Sequence, residues 1–292
     1  MKVLLTGASG FVGSKIIADL NKKFEILPSS IRYDNRGKIN IPNDVQVIIH
    51  TSGIAHDLKG KRRHVDYIKS NYELTKSLFD HFLNSKAHLF IYFSSVKAVT
   101  EVSEYPITEE NSMSPSTSYG ISKKLAEEYI QENNQGKKFI ILRPPLIYGK
   151  GNKGNLALIE RFSAYGLPWP YKMPKNRKSL LYTDNLTFII EKILESNISS
   201  GVYNIADEDT ISTFDMIKVL YSIKNKKLRV LPIPRWIIIT LLRLFRIISK
   251  ELNQNILSKL ESNLELDCSK LKNELKIKLP FSTKDGLIKT YL

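Results

Sequence analysis

Residues 1–13 read MKVLLTGASGFVG. Lys2 to Thr6 is a short β-branched and leucine run with no turn residue inside it, which predicts a buried strand. Gly7, Gly10 and Gly13 follow at once, and from Phe11 onward (FVGSKIIADL) apolar residues recur at helical spacing. The glycines therefore occupy a strand-to-helix turn. Such a turn suits a dinucleotide: the backbone can turn tightly and approach a pyrophosphate, whose charge meets the unpaired N–H groups and positive dipole end of the helix. Gly7, Gly10, Phe11, Val12 and Gly13 are accordingly the expected cofactor contacts, and the fold class that follows is α/β.

Bulk properties are consistent with this. A chain of 292 residues can bury a full core, and 42% hydrophobic with 25% charged residues is the composition of an ordinary soluble globular protein. The single cysteine, Cys268, excludes an intramolecular disulfide and fits a reducing compartment. Glycines interrupt the first apolar run, and no small-residue cleavage site ends it, so it does not read as a signal peptide. The expected location is cytoplasmic. The net charge of +15 raises the question of nucleic acid. The basic residues are spread along the chain, however, and no aromatic residues interleave where they gather (Lys59–Arg63, Lys224–Arg229), so no nucleic-acid partner is expected. An anionic substrate, an anionic membrane face or plain solvation accounts for the charge.

Phe24 to Leu27 is the second strand expected. An NAD site usually places Asp or Glu just after it to hold the ribose 2′-OH. Here the run is Pro28, Ser29, Ser30, Ile31, Arg32, with no acid until Asp34. Hydroxyls and the Arg32 guanidinium suit a 2′-phosphate, so NADP is favoured over NAD; the alternative is an ordinary loop with its acid displaced to Asp34. Val45 to Ile49 is the next strand, ending in His50, Thr51, Ser52 and Gly53, a turn that should pass near the cofactor. The histidines (50, 56, 64, 81, 88) include no i, i+4 pair and no companion cysteine, so no metal site is expected. His50 reads as a strand-end hydrogen-bonding residue. Asn71 to Leu83 has helical spacing, with Asn71 near its start as a cap or an active-site amide.

His88 to Phe93 is a fourth strand running into Ser94 and Ser95. After a loop rich in Ser, Thr, Glu and Pro, Tyr119-Gly120-Ile121-Ser122-Lys123 opens a helix through Ile130. Tyr119 and Lys123 are four apart and share a helix face. A free tyrosine is a poor base at neutral pH, but an ammonium within a few ångströms favours the phenolate, and a serine hydroxyl can align the oxygen whose proton moves. Alone, the Tyr–Lys pair is a common surface pattern.

With the glycine turn, Ser95, Tyr119 and Lys123 in this order, the chain resembles the extended short-chain dehydrogenase/reductases, in particular the NAD-dependent epimerase/dehydratase group acting on nucleotide sugars. His50–Gly53, Asn71 with Thr75, Arg143-Pro144-Pro145-Leu146-Ile147-Tyr148-Gly149 and Ser179–Leu186 extend the likeness over most of the chain. The resemblance implies a Rossmann doubly wound parallel sheet with a smaller C-terminal substrate-binding lobe. It makes Ser95, Tyr119 and Lys123 the catalytic triad, with Lys123 also on the nicotinamide ribose, and places Pro144, next to Arg143, at the turn toward the substrate. In related 4,6-dehydratases an Asp-Glu pair follows the triad Ser/Thr; here Val96 and Lys97 stand there, which removes the acid and base of water elimination. Hydride transfer at a sugar carbon remains. The stretch Tyr148–Asn155 resembles polysaccharide-locus enzymes associated with reducing a UDP-4-keto-6-deoxy-N-acetylhexosamine. A UDP-hexose or UDP-N-acetylhexosamine 4-epimerase is the alternative, and a non-catalytic cofactor-binding regulator the rival from another class.

Strands at Lys138–Leu142 and Val202–Ile205, with a helix at Leu186–Leu194, complete the sheet. The division expected is a cofactor domain at 1–149 and 179–206 and a substrate lobe at 150–178 and 207–292. Lys153, Asn155, Arg177 and Lys178 are the candidates for the uridine diphosphate, since an amide and cations match its oxygens; the family usually has Arg where Lys178 falls. Val230 to Ile248 is the most apolar run, but Arg235, Arg243 and Arg246 interrupt it, and the uninterrupted apolar part after Pro234 is too short to span a bilayer. A capping helix or a homodimer face is expected ahead of peripheral membrane contact.

Overall fold

The computed structural model describes residues 1–34, 39–55, 62–152, 155–170, 173, 175–245 and 256–292. Strand β1 (Lys2–Thr6) leads through the glycine turn into α1 (Phe11–Leu20), β2 (Glu25–Ser29) and β3 (Val47–His50). Next come α2 (His64–Tyr67), a π-helical stretch (Ile68–Glu73) and α3 (Leu74–Leu83), then β4 (Leu89–Phe93), a 3₁₀ turn (Val96–Ala98), α4 (Ser118–Glu132) and β5 (Lys138–Arg143). The second half runs β6 (Leu146–Tyr148), α5 (Asn155–Ala164), β7 (Leu180–Tyr182), α6 (Thr183–Glu195), β8 (Gly201–Asn204), α7 (Thr213–Ile223), α8 (Arg235–Phe245), α9 (Ile256–Glu261), α10 (Ser269–Leu275) and α11 (Thr283–Tyr291).

Six strands form one parallel sheet in the order β2-β1-β3-β4-β5-β8. The chain leaves β1 toward β2 and then returns to the other side of β1. The carboxyl ends of β1 and β3 therefore flank a topological switch point, where open α/β sheets bind ligands. Both sheet faces are covered, and the strand residues divide with period two. Val3, Leu5, Leu89, Ile91, Ile140 and Leu142 pack with Ile16, Leu186 and Ile190 of α1 and α6. Leu4, Ile48, Phe90 and Ile141 pack on the other face with Leu78, Phe79, Phe82, Ala126 and Ile130 of α3 and α4.

A further hydrophobic core is built on the parallel pair β6–β7 and on Trp169, Ile217, Leu220, Tyr221, Ile238 and Leu287. Leu271 of α10 and Leu279 pack instead in the α1/α6 layer of the sheet.

The helix expected at Asn71–Leu83 differs from the observed one. It begins at His64, where Asp66 accepts from the Arg63 N–H at 2.8 Å, and Asn71 is buried inside the π-helical stretch instead of capping an end. Residues 64–73 are mostly polar, so hydrophobic periodicity does not register them, and Asn71 among them bonds to Ile54 and Ser122. The other expected elements lie within a few residues of their observed bounds.

Candidate active site

The glycine turn is shaped by close approach. Gly7 has φ +73°, and a Cβ there would lie 2.6 Å from Thr51 Oγ1; a Cβ on Gly13 would lie 2.2 Å from the Gly7 carbonyl oxygen. Gly10 caps α1 with no side chain, and the first turn carries no acid. The leading N–H groups of α1, those of Phe11, Val12 and Gly13, lack intrahelical partners as at any helix start, so the turn presents donors and a positive dipole end. This cradle fits a dinucleotide pyrophosphate.

Thr51, Ser52 and Gly53 lie beside the turn. The Thr51 hydroxyl donates to the Thr6 carbonyl at 2.7 Å, and the Ser52 N–H nitrogen would be 2.7 Å from a Cβ on Gly7. Asn71 fastens this loop to α4. Its Oδ1 accepts from the Ile54 N–H at 2.7 Å, and its Nδ2 donates to the Ile54 carbonyl at 3.0 Å and to Ser122 Oγ at 2.9 Å. Ser122 donates onward to the Tyr119 carbonyl at 2.7 Å. The buried amide thus joins the cofactor-side loop to the helix carrying Tyr119 and Lys123.

His50 supports the same joint. The Thr75 hydroxyl donates to the Asn71 carbonyl at 2.6 Å, so it accepts from His50 Nε2–H at 2.9 Å, and His50 Nδ1 accepts from the Thr6 hydroxyl at 2.6 Å. Two hydroxyls therefore hold one neutral tautomer. Burial, and secondarily the nearby Lys123 ammonium, push its pKa down to about 3. The expected role of a strand-end hydrogen-bonding residue is what the geometry gives.

Ser95 caps the 3₁₀ turn, its Oγ accepting from the Lys97 N–H at 3.3 Å, and its hydroxyl lies near the Tyr119 phenol. Tyr119 is half-buried at the start of α4, with the Tyr67 ring edge-on at 6.4 Å between centroids. Burial pushes its phenol up to about 12, Tyr67 adds to the rise and the Ser95 hydroxyl opposes it. Lys123, one turn on, is buried. Its Nζ donates to the Phe93 carbonyl at 2.6 Å and lies 4.7 Å from the Tyr92 ring centroid. Burial lowers its pKa to about 7, against the pull of the Glu127 carboxylate. The Lys123 ammonium is directed to the strand-end carbonyl and lies 3.8 Å from where a Gly53 Cβ would stand.

Arg143 ends β5 and Pro144 follows it. The Pro144 carbonyl accepts from the Val96 N–H at 3.0 Å, tying the turn to the Ser95 segment. Arg143 is 1% exposed and pairs with fully buried Glu127, which also accepts from the Ser94 hydroxyl. Glu127 escaped sequence reading, although it continues the Tyr119–Lys123 face by another four residues. Tyr67 carried no sequence signal.

Arg32 is exposed beyond the carboxyl end of β2. Arg177 is exposed and pairs with Glu265 at 2.5 Å. The Lys178 ammonium donates to the Lys259 carbonyl at 2.8 Å, with its pKa lowered by burial to about 8. Lys153 lies outside the described residues; Asn155 opens α5, but its side chain is not among those described.

These features define an α/β fold with a glycine-turn cradle that suits a dinucleotide. The NAD dependent epimerase/dehydratase family matches residues 3–206, and the chain belongs to it, an enzyme of the nucleotide-sugar epimerase and reductase type. It is similar to a UDP-glucose 4-epimerase of Vibrio cholerae, 28% identical over 99% of this chain and 94% of that protein. It is also similar to a UDP-2-acetamido-2,6-beta-L-arabino-hexul-4-ose reductase of Pseudomonas aeruginosa, 24% identical over 78% of this chain and 59% of that protein. In fold it matches the RMD protein of Pseudomonas aeruginosa complexed with NADPH, at TM-score 0.79 and 19% identity, over 99% of this chain and 97% of that one.

Proposed function

We propose that this protein catalyses oxidation or reduction at C4 of a UDP-linked sugar, with net reduction of a UDP-4-keto-6-deoxy-N-acetylhexosamine, a step of surface polysaccharide biosynthesis, as the specific reaction. The Ser95 hydroxyl set against the Tyr119 phenol, which stands one helical turn from Lys123, carries this reading. Gly7, Gly10 and the N–H groups of Phe11, Val12 and Gly13 hold the pyrophosphate; Thr51, Ser52, Gly53, Asn71 and Pro144 line the cofactor side. When bound, NAD(P) supplies the hydride chemistry. Ser95 orients the substrate oxygen, and Tyr119 delivers a proton to it during reduction or removes it during oxidation. Lys123 sits on the cofactor ribose and, once drawn from the Phe93 carbonyl, lowers the cost of the phenolate. Lys153, Asn155, Arg177 and Lys178 are the proposed contacts of the uridine diphosphate.

Val96 and Lys97, where water elimination would need acids, favour simple hydrogen transfer. The acid-free end of β2, with Ser29, Ser30 and Arg32, favours exchangeable NADPH. Epimerisation is the second reading, supported by the Vibrio cholerae relative, which matches nearly the whole chain.

Incubation of the purified protein with UDP-N-acetylglucosamine and, separately, with its 4-keto-6-deoxy derivative distinguishes the two. NADPH consumption with the keto-sugar alone supports the reductase. Conversion of UDP-N-acetylglucosamine to its C4 epimer without net NADPH loss supports the epimerase. Cofactor binding without turnover of a nucleotide-sugar panel overturns both.

A further inference from the structure

The edge of the lobe opposite its packed core carries large apolar side chains in water. Residues 165–169 run beside 229–231: the Trp169 N–H donates to the Arg229 carbonyl at 2.7 Å, and the Leu231 N–H to the Trp169 carbonyl at 2.8 Å. Trp169 itself is buried, but Tyr165 is 79% exposed, and Leu167, Val230 and Leu231 are also exposed along this edge. Five residues beyond Leu231, at the start of α8, Trp236 is 68% exposed, while Ile238 on the other side of that helix is buried. Isolated exposed apolar residues are ordinary; two aromatics and three aliphatics on adjoining segments form a patch.

The charged side chains on the segments that form the patch are all basic. Lys226, Lys227 and Arg229 are exposed on the segment that supplies Val230 and Leu231, and the Lys226 methylenes cover Gly166 next to Tyr165. Neighbouring carboxylates are engaged: Glu160 with Lys224 at 3.2 Å and Glu261 with Arg235 at 2.9 Å. A tryptophan and a tyrosine with aliphatic neighbours, rimmed by lysine and arginine, match the boundary between anionic headgroups and acyl chains. A protein carrying +15 is drawn to such a surface from a distance. No helix among the described residues is long and apolar enough to cross a membrane.

We propose that the edge formed by Tyr165–Leu167, Lys226–Leu231 and Trp236 is a docking surface for an anionic lipid bilayer, against which the substrate lobe rests without insertion of a spanning segment.

The test uses the full-length protein with vesicles of equal parts phosphatidylglycerol and phosphatidylcholine, against pure phosphatidylcholine. Binding is read by co-sedimentation and tryptophan emission; Trp169 is already buried, so a blue shift reports Trp236. The protein should sediment with anionic vesicles only, with a blue shift that salt reverses. Each basic side chain near an anionic surface contributes roughly fivefold, so Lys226→Ala/Lys227→Ala/Arg229→Ala should weaken binding on the order of a hundredfold. Trp236→Glu should abolish it. Both variants should keep the thermal transition and cofactor affinity of the wild type, which makes loss of binding a surface effect. Equal binding to both vesicle types, no binding to either, or a blue shift that rises with protein concentration alone, the mark of a second copy on this face, would each overturn the proposal.

Discussion

Arg143 and Glu127 form a buried, two-pronged ion pair, with Arg143 Nε 3.0 Å and Nη2 2.6 Å from Glu127 Oε2. It joins the end of β5 to the helix of Tyr119 and Lys123, and the Arg143 Nη1 donates onward to the Glu109 carbonyl at 3.3 Å. Removing one partner from such a pair leaves an uncompensated charge in the interior and costs about 3–5 kcal/mol. Glu127→Met should therefore lower stability by that amount in a urea titration. Glu127→Met/Arg143→Met should recover a large part of it; a double variant as unstable as the sum of the singles would show that the residues act independently.

The glycine turn is tested by adding single methyl groups. Gly13→Ala drives a Cβ into the Gly7 carbonyl, and Gly7→Ala combines a left-handed backbone with a clash against Thr51. A strained φ costs about 1–3 kcal/mol before any clash. Both variants should bind NADH and NADPH at least tenfold more weakly in a fluorescence titration. Gly136→Ala, with nothing within 4 Å of its Cβ, is the control that should retain affinity.

Asp207 gives the lobe a pH dependence. It accepts from the Tyr182 N–H at 2.9 Å, Asn185 Nδ2 at 2.7 Å and the Tyr148 hydroxyl at 2.9 Å, and burial raises its pKa from 3.8 to about 6. A raised carboxyl favours the fold in its protonated form. Its contribution is complete below the unfolded value and is lost as pH rises through 6, at most about 3 kcal/mol for two units. Asp207→Asn keeps the acceptor for Tyr182 and Asn185, and Tyr148 can donate instead to the Thr283 carbonyl at 2.9 Å. Thermal melts between pH 4 and 7 should show this dependence in the wild type and its loss in Asp207→Asn.

His50 works in the opposite sense. Its depressed pKa means that its contribution is full above about pH 6.5 and drains as the solution acidifies toward 3. Its ring resonances should show no titration between pH 5 and 8 by NMR, and a midpoint inside that window would refute the Thr6–His50–Thr75 assignment.

Much of the sheet was legible in the amino-acid order because its strands are short apolar runs bounded by glycine, serine and proline. The glycine turn, Thr51–Gly53, Ser95, Tyr119 and Lys123 could be placed because each follows a strand or opens a helix. What could not be read has a common physical cause. Glu127 and Asp207 are polar residues whose partners lie 16 to 59 positions away, so no local period announces their burial. The hydrogen bond from the Lys178 ammonium to the Lys259 carbonyl spans 81 positions and was likewise unannounced by any local pattern. The direction of the Lys123 ammonium toward Phe93 was equally invisible, since helical spacing specifies a shared face but not where a flexible side chain ends.

The central claim, that the Tyr119 phenol moves the proton at the sugar oxygen, is tested most directly by Tyr119→Phe. Turnover should be measured with the 4-keto-6-deoxy sugar and NADPH and with UDP-N-acetylglucosamine, alongside NADPH affinity. General acid–base catalysis contributes about 10²–10⁴-fold, so the rate should fall by at least a hundredfold while the dissociation constant changes by less than about twofold. A variant that turns over the same substrate at the wild-type rate would contradict the account.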